Sequence, residues 1–328
     1  MRKQILTSMI MCFLVTLIFT TGLCGQASAK QIKLKVVSFT FLDSLENKML
    51  QLFIERVNER AKGELFMDLI GGPEIISPFE LAQSVSKGII DVGLNSTSFY
   101  PGTVPGAEAY LASKLSIQEL RKNGFHDFVI EQHKKANLYY LGAMFESVDT
   151  WNIFLTKPVT NLNELKGLRL GDGTVALPFL KKIGAVSVTL GLEESYTALD
   201  RGIADGILYP RLLIPQFKLD EKLKYYIEGG FFRNDTSLFM NLNKWNSLPK
   251  HLQKIMQEVA ISLEKDSENY ANKVDMDIRK AMETSGVKKI ILPEADKKKM
   301  LDLIYQTEWE QAVERYPDFG PELVNTLR

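Results

Sequence analysis

Between Asn161 and Gly206 the chain alternates two short apolar strands with two short helices, each punctuated by glycine, and that order restricts the fold more than any other stretch. Leu168 and Leu170 lead into a turn at Gly171 and Gly173. Pro178 sits at a helix start, where a missing N–H costs little, and Gly184 stops that helix. Val186 and Val188 alternate as a second strand, and residues 193–201 read as a second helix ended by Gly202. The same rhythm opens the chain. Residues 33–39 read as a strand, 43–62 as an amphipathic helix stopped by Gly63, 64–70 as a strand, 79–87 as a helix and 89–94 as a buried strand. Such alternation implies largely parallel sheets with helical crossovers, an α/β fold whose ligand lies beyond the carboxyl ends of the strands. That rule selects Phe39, Phe41, Asn95, Ser96, Gly171 and Asp172 as candidate ligand neighbours, with Phe79 on an adjoining helix start.

The first 29 residues read as a cleaved export signal. Arg2 and Lys3 precede an apolar run from Ile5 to Phe19, and Ala27-Ser28-Ala29 is a small-residue cleavage site. Both cysteines, Cys12 and Cys24, fall in that segment, so disulfide and thiolate chemistry are excluded from the exported chain. Without Arg2 and Lys3, 38 basic residues face 40 acidic ones. That balance speaks against nucleic acid, which needs a basic stripe. Residues 249–285 contain no internal proline or glycine after Pro249, and their apolar spacing is too irregular for heptads. The expected element is a helix about 55 Å long, reaching across two domains.

Enzyme readings find little support. Gly171-Asp172-Gly173 with Ala176 matches a permissive GxGxxA dinucleotide fingerprint, which makes a dinucleotide-binding oxidoreductase the remote alternative; Pro178 and the mid-chain position weaken it. His126 and His133 share no third ligand and read as part of a surface helix, and His251 as solvated. No GxSxG elbow exists, and Lys297-Lys298-Lys299 reads as a solvated helix face. No metal and no cofactor are expected.

The segments "VNERAKGELFMDLI", "ELAQSVSKGIIDVGL", "TKPVTNLNELKGLRL", "LKKIGAVSVTLGLEESYTALDRGIADG" and "NKWNSLPKHLQKIMQEVA" occur in the order and spacing of one family. Through them the chain resembles the solute receptors of tripartite ATP-independent periplasmic (TRAP) transporters, of the dicarboxylate-receptor type. The resemblance implies a two-domain periplasmic binding protein, type II-like, with a long helix spanning both domains. The boundaries expected are 30–146 plus 236–273 for one domain and 147–235 plus 274–328 for the other. It further implies hinge closure on a small organic ligand and delivery to TRAP membrane permease subunits. A periplasmic accessory protein is a further partner this reading allows, and a periplasmic scaffold acting through protein partners is the alternative function.

Where that family places a carboxylate-holding arginine at the end of the "LKGL" strand, this chain has Gly171. A second family arginine falls at or near Trp151, a ligand-touching asparagine falls at Tyr209, and a small or polar strand end falls at Phe39. The resemblance therefore implies a site rich in aromatic surface, suited to a hydrophobic or amphipathic ligand or a monocarboxylate. Arg211 is the nearest candidate for a replacement cation, with Arg233 on the returning strand as the other; Arg169 lies two residues before Gly171.

Overall fold

The computed structural model of the chain describes residues 31–172 and 175–328. The expected export signal and the Gly173–Thr174 part of the glycine turn lie outside these residues. Among the described residues no helix is long and apolar enough to cross a membrane.

Two mixed sheets organise the fold. The first combines β1 (Ile32–Ser38), β2 (Leu65–Gly71), β3 (Val92–Asn95), β4 (Leu138–Ala143) and β10 (Ser237–Asn241) in the order β2-β1-β3-β10-β4. β1 and β3 run parallel, with Val36 opposite Val92, while β10 is antiparallel to both β3 and β4. The second combines β5 (Trp151–Leu155), β6 (Arg169–Asp172), β7 (Val186–Thr189), β8 (Gly206–Pro210), β9 (Tyr225–Ile227) and β11 (Lys288–Ile290) in the order β11-β9-β5-β8-β6-β7. Its β6, β7 and β8 are parallel, and β5 is antiparallel to β8 and β9. One strand of each sheet thus enters against the α/β rhythm, which local periodicity does not reveal.

Helices cover the sheets where the sequence places them, with instructive shifts. α1 (Asn47–Arg60) starts four residues later than expected, because Asn47 bonds the Phe41 carbonyl and the Ser38 hydroxyl and holds residues 41–46 in turns. α2 (Pro78–Ser86) carries its proline in the first turn. The strand expected over 89–94 begins only at Val92. Gly88, at φ +75°, turns the chain, and the Ile89 amide is spent on the Ser84 carbonyl, which leaves Ile89 exposed. α3 (Ile117–Lys122) opens with a capping box between Ser116 and Glu119, and α4 (Phe125–Lys135) follows. His133 on α4 is wholly buried, bonded to the Val129 carbonyl and packed on Tyr100, so the helix lies at the surface as expected but turns His133 into the core. Burial lowers its pKa to about 4.

In the second half, α5 (Leu177–Lys182) and α6 (Leu192–Asp200) flank β7, α7 (Leu213–Gln216) follows β8, and α8 (Leu242–Ser247) follows β10. α9 (Lys250–Thr284) is one unbroken helix of 35 residues, about 52 Å long. It lies on α1 and β4 of the first sheet and on α7 of the second. Its Leu252, Met256 and Leu263 are buried, and Met282 enters the core beneath β8. α10 (Glu294–Arg315) and α11 (Gly320–Leu327) close the other face of the second sheet around Leu170, Phe179 and Leu208.

The chain crosses from β4 to β5 and from β9 to β10 by two segments that run side by side. Ser147 and Asn234 exchange backbone hydrogen bonds, and the Met144 and Thr150 amides bond the carbonyls of Thr236 and Phe232.

Candidate functional site

Parallel strands bring their carboxyl ends to one edge, and the loops that follow β1 and β3 carry the first sheet's candidates there. Phe39 is half-buried just past β1, its ring centroid 5.9 Å from that of Phe99. Phe79, in the first turn of α2, meets Phe99 edge-on at 5.1 Å and is 66% exposed. Phe41 and Ile75, each 47% exposed, add apolar surface on neighbouring turns. The loop bearing Ile75 is tied to this cluster, because a Cβ at Gly72 would stand 2.6 Å from the Thr40 carbonyl oxygen. Phe99 was not singled out from the sequence. Its signal is its position four residues beyond Asn95, in the short 3-10 turn 97–99 that continues from β3.

Asn95 and Ser96 are built into the base of this cluster. The Asn95 side chain is wholly buried. Its Nδ2 donates to the Pro78 carbonyl at 2.8 Å, which fixes the amide's orientation and leaves Oδ1 as an acceptor with no protein partner. Ser96 donates to an Asp235 carboxylate oxygen at 2.8 Å, and the Thr97 amide donates to the other oxygen at 2.8 Å. Asp235 therefore braces the turn that carries Phe99, from the crossing segment.

On the second sheet, Trp151 and Tyr209 lie together, ring centroids 6.3 Å apart and 20° from parallel. The Trp151 indole donates to the Arg233 carbonyl at 3.3 Å, and the Tyr209 hydroxyl donates to the Leu190 carbonyl. Both are buried, Trp151 8% and Tyr209 7% exposed. Leu190 also fills the space beside Gly171: an added Cβ would lie 2.7 Å from Leu190 Cδ1 and 3.2 Å from Ile207 Cγ2. Asp172 is buried at the end of β6 and accepts the Ala176 amide at 2.8 Å.

Arg211 is wholly buried and held on all sides. Nε and Nη2 grip the Asp275 carboxylate on α9 at 2.8 and 2.9 Å, Nη2 also donates to the Asp149 carbonyl at 2.6 Å, and Nη1 donates to Asn152. Arg279 shares the same carboxylate at 2.9 Å. The reading of Arg211 as a ligand's cation meets a guanidinium already committed to locking the end of β8 onto α9. Arg233 is equally committed. It lies 3.1 Å from Glu146, stacks 4.0 Å above the Tyr110 ring and donates to the Leu115 carbonyl at 3.0 Å. Tyr110 donates to Glu146 at 2.7 Å. Burial outweighs this pairing and pushes Glu146 up to about 8, and burial also raises Asp235. Arg169 forms an exposed fork with Asp205 at the opposite end of β6.

The order of the sheets, the unbroken α9 and the paired crossing segments form one architecture, and the family model described as "Bacterial extracellular solute-binding protein, family 7" matches residues 39–314. The chain belongs to this family of solute-binding receptors. A solute-binding protein of Albidiferax ferrireducens is 24% identical over 318 residues, 94% of each chain. A monocarboxylate 2-oxoacid-binding periplasmic protein of Nostoc sp. is 23% identical over 63% of this chain and 59% of its own length. Among solved structures, a TRAP periplasmic solute-binding protein from Desulfovibrio salexigens with bound orotic acid superposes with a TM-score of 0.78 at 21% identity, covering 90% of this chain and 97% of that one. An extracytoplasmic solute receptor of Bordetella pertussis binding pyroglutamic acid gives 0.79 at 18% identity, covering 90% and 99%. These relatives are described as solute-binding proteins or solute receptors, so the family-level reading of a solute receptor stands.

Proposed function

We propose that this receptor captures a small organic ligand with substantial apolar surface between its two sheets and closes on it by bending at the paired crossing segments. On this reading one lobe comprises residues 30–146 and 236–273, and the other 147–235 and 274–328. The ligand is then passed to TRAP membrane permease subunits outside the cytoplasm, after removal of the export signal. The carrying observation is the ring cluster of half-buried Phe39 and Phe99 with exposed Phe79 at the strand ends, beside edges whose two arginines are already bound. Burying about 200 Å² of apolar ligand surface contributes about 5 kcal/mol, enough to offset a lost charge-assisted contact of about 1.5–3 kcal/mol. Closure draws on contacts the ligand makes only in the shut state. The likeness to receptors solved with orotic and pyroglutamic acids supports a small organic compound.

Native mass spectrometry of protein purified without refolding tests this. The expected spectrum shows an added small-molecule mass that disappears on denaturation, with a matching change in tryptophan fluorescence when the compound is returned. A retained C4-dicarboxylate, with no response to apolar compounds, would contradict the reading.

A further inference from the structure

The charges on the loops at the ligand edge are unevenly divided. Residues 39–46 contribute Asp43 and Glu46, residues 72–77 contribute Glu74, and residues 96–106 contribute no charged side chain. From the second sheet's edge come Asp172 and Arg211, and from the crossing segments Glu146, Asp149, Glu228, Arg233 and Asp235. The two arginines are the basic residues of this set, and each is sealed against a carboxylate inside the protein. Asp149 and Glu228 lie 3.4 and 3.9 Å from the exposed ammonium groups of Lys114 and Lys289. Among the described residues, neither arginine on these loops offers a free guanidinium to a ligand.

The acceptors form the complementary half. Asn95 Oδ1 is buried without a protein donor, and its orientation is fixed by the bond from Nδ2 to Pro78, the residue before Phe79. Glu74 is exposed beside the Thr40 turn, and the Gly72 amide bonds its carboxylate at 2.7 Å. An edge supplied with acceptors and carboxylates lacks what an anion requires and offers what a donor requires. Aromatic faces add to the same preference, since the ring quadrupole attracts a cation.

We propose that the ligand is an organic cation, an amine or quaternary ammonium carried on an apolar body, with its hydrocarbon on the Phe39–Phe79–Phe99 cluster and its positive group toward the Asn95 and Glu74 acceptors. This rests on the receptor reading above and changes the sign of the ligand charge relative to a carboxylate.

Three phenyl probes of similar size test it by calorimetry and tryptophan fluorescence at low salt: 2-phenylethylammonium, 2-phenylethanol and phenylacetate. The ammonium ion is expected to bind about tenfold or more tighter than phenylacetate, with the alcohol between them. Glu74→Gln should weaken the ammonium ion about threefold and leave the alcohol unchanged. Phe79→Arg, at an exposed position that spares the core, should narrow or reverse the preference for the cation. Phenylacetate binding as tightly as the ammonium ion, or the alcohol matching it, overturns the proposal while leaving the receptor reading intact. Should none of the probes bind, the compound retained in native mass spectrometry decides: an amine supports the proposal and a carboxylate overturns it. No retained compound and no probe binding removes both readings.

Discussion

Gly171 leaves no vacancy, because Leu190 and Ile207 occupy the volume that a side chain there would claim. The position is closed by packing rather than by backbone strain. Gly171→Arg should therefore displace Leu190 and lower stability by about 1–3 kcal/mol. It should add no measurable affinity for malonate. Urea unfolding and calorimetry check the two halves, and tight malonate binding by an undiminished variant would contradict the packing argument. At this scale the sequence names candidate residues and is a poor guide to what they do. Gly171, Trp151 and Tyr209 can be picked out from the chain alone. That Arg211 is spent on Asp275, 64 positions away, cannot. A guanidinium's availability depends on partners brought by the fold, and residue spacing carries no trace of them.

Among the elements, α9 joins what the two sheets separate. It gives Leu252, Met256 and Leu263 to the first sheet's side and Met282 to the second, and its Asp275 holds Arg211 midway. Its length was legible from the run without proline or glycine, because an interrupted apolar stripe with no breaker has few other solutions. The antiparallel insertion of β10 between β3 and β4 was not, since strand direction is set by the crossing chain and not by local pattern. Leu263→Ala should cost about 2–5 kcal/mol. If α9 couples the sheets, circular dichroism and tryptophan fluorescence will report one shared transition, because Trp245 belongs to the first sheet's side and Trp151 and Trp309 to the second. Two separated transitions would show that the helix does not couple them.

For the whole molecule, the buried titrating groups set opposite limits on pH. Burial lowers both His126 and His133 to about 4, so the native state resists protons that the unfolded chain takes up near 6.5. Stability is then lost as pH falls from about 6.5 toward 4. Glu146 works the other way. Its pKa, raised from 4.5 to about 8 among Tyr110, Arg233, Asp235 and the Thr236 amide, contributes stability that is fully present at low pH and lost as pH rises through 8. Between pH 6.5 and 8 the histidines are silent, and Glu146 slopes downward together with Glu308, which burial also raises to about 8. Glu146→Gln should reduce the slope of that limb in denaturant titrations, leaving the share of Glu308, and leave the acid limb unchanged; an unaltered slope would assign it to Glu308 alone.

The two crossing segments are joined along their length by the Ser147–Asn234 rungs and by the Met144 and Thr150 amides. Two separate cords would let one sheet swivel freely over the other. Laced together they act as a flat strip, which flexes easily about one axis and resists torsion. On the proposed closure, the motion between the sheets would thereby be reduced to a single degree of freedom, and a compound held between them would meet both faces in the same alignment every time the strip bends.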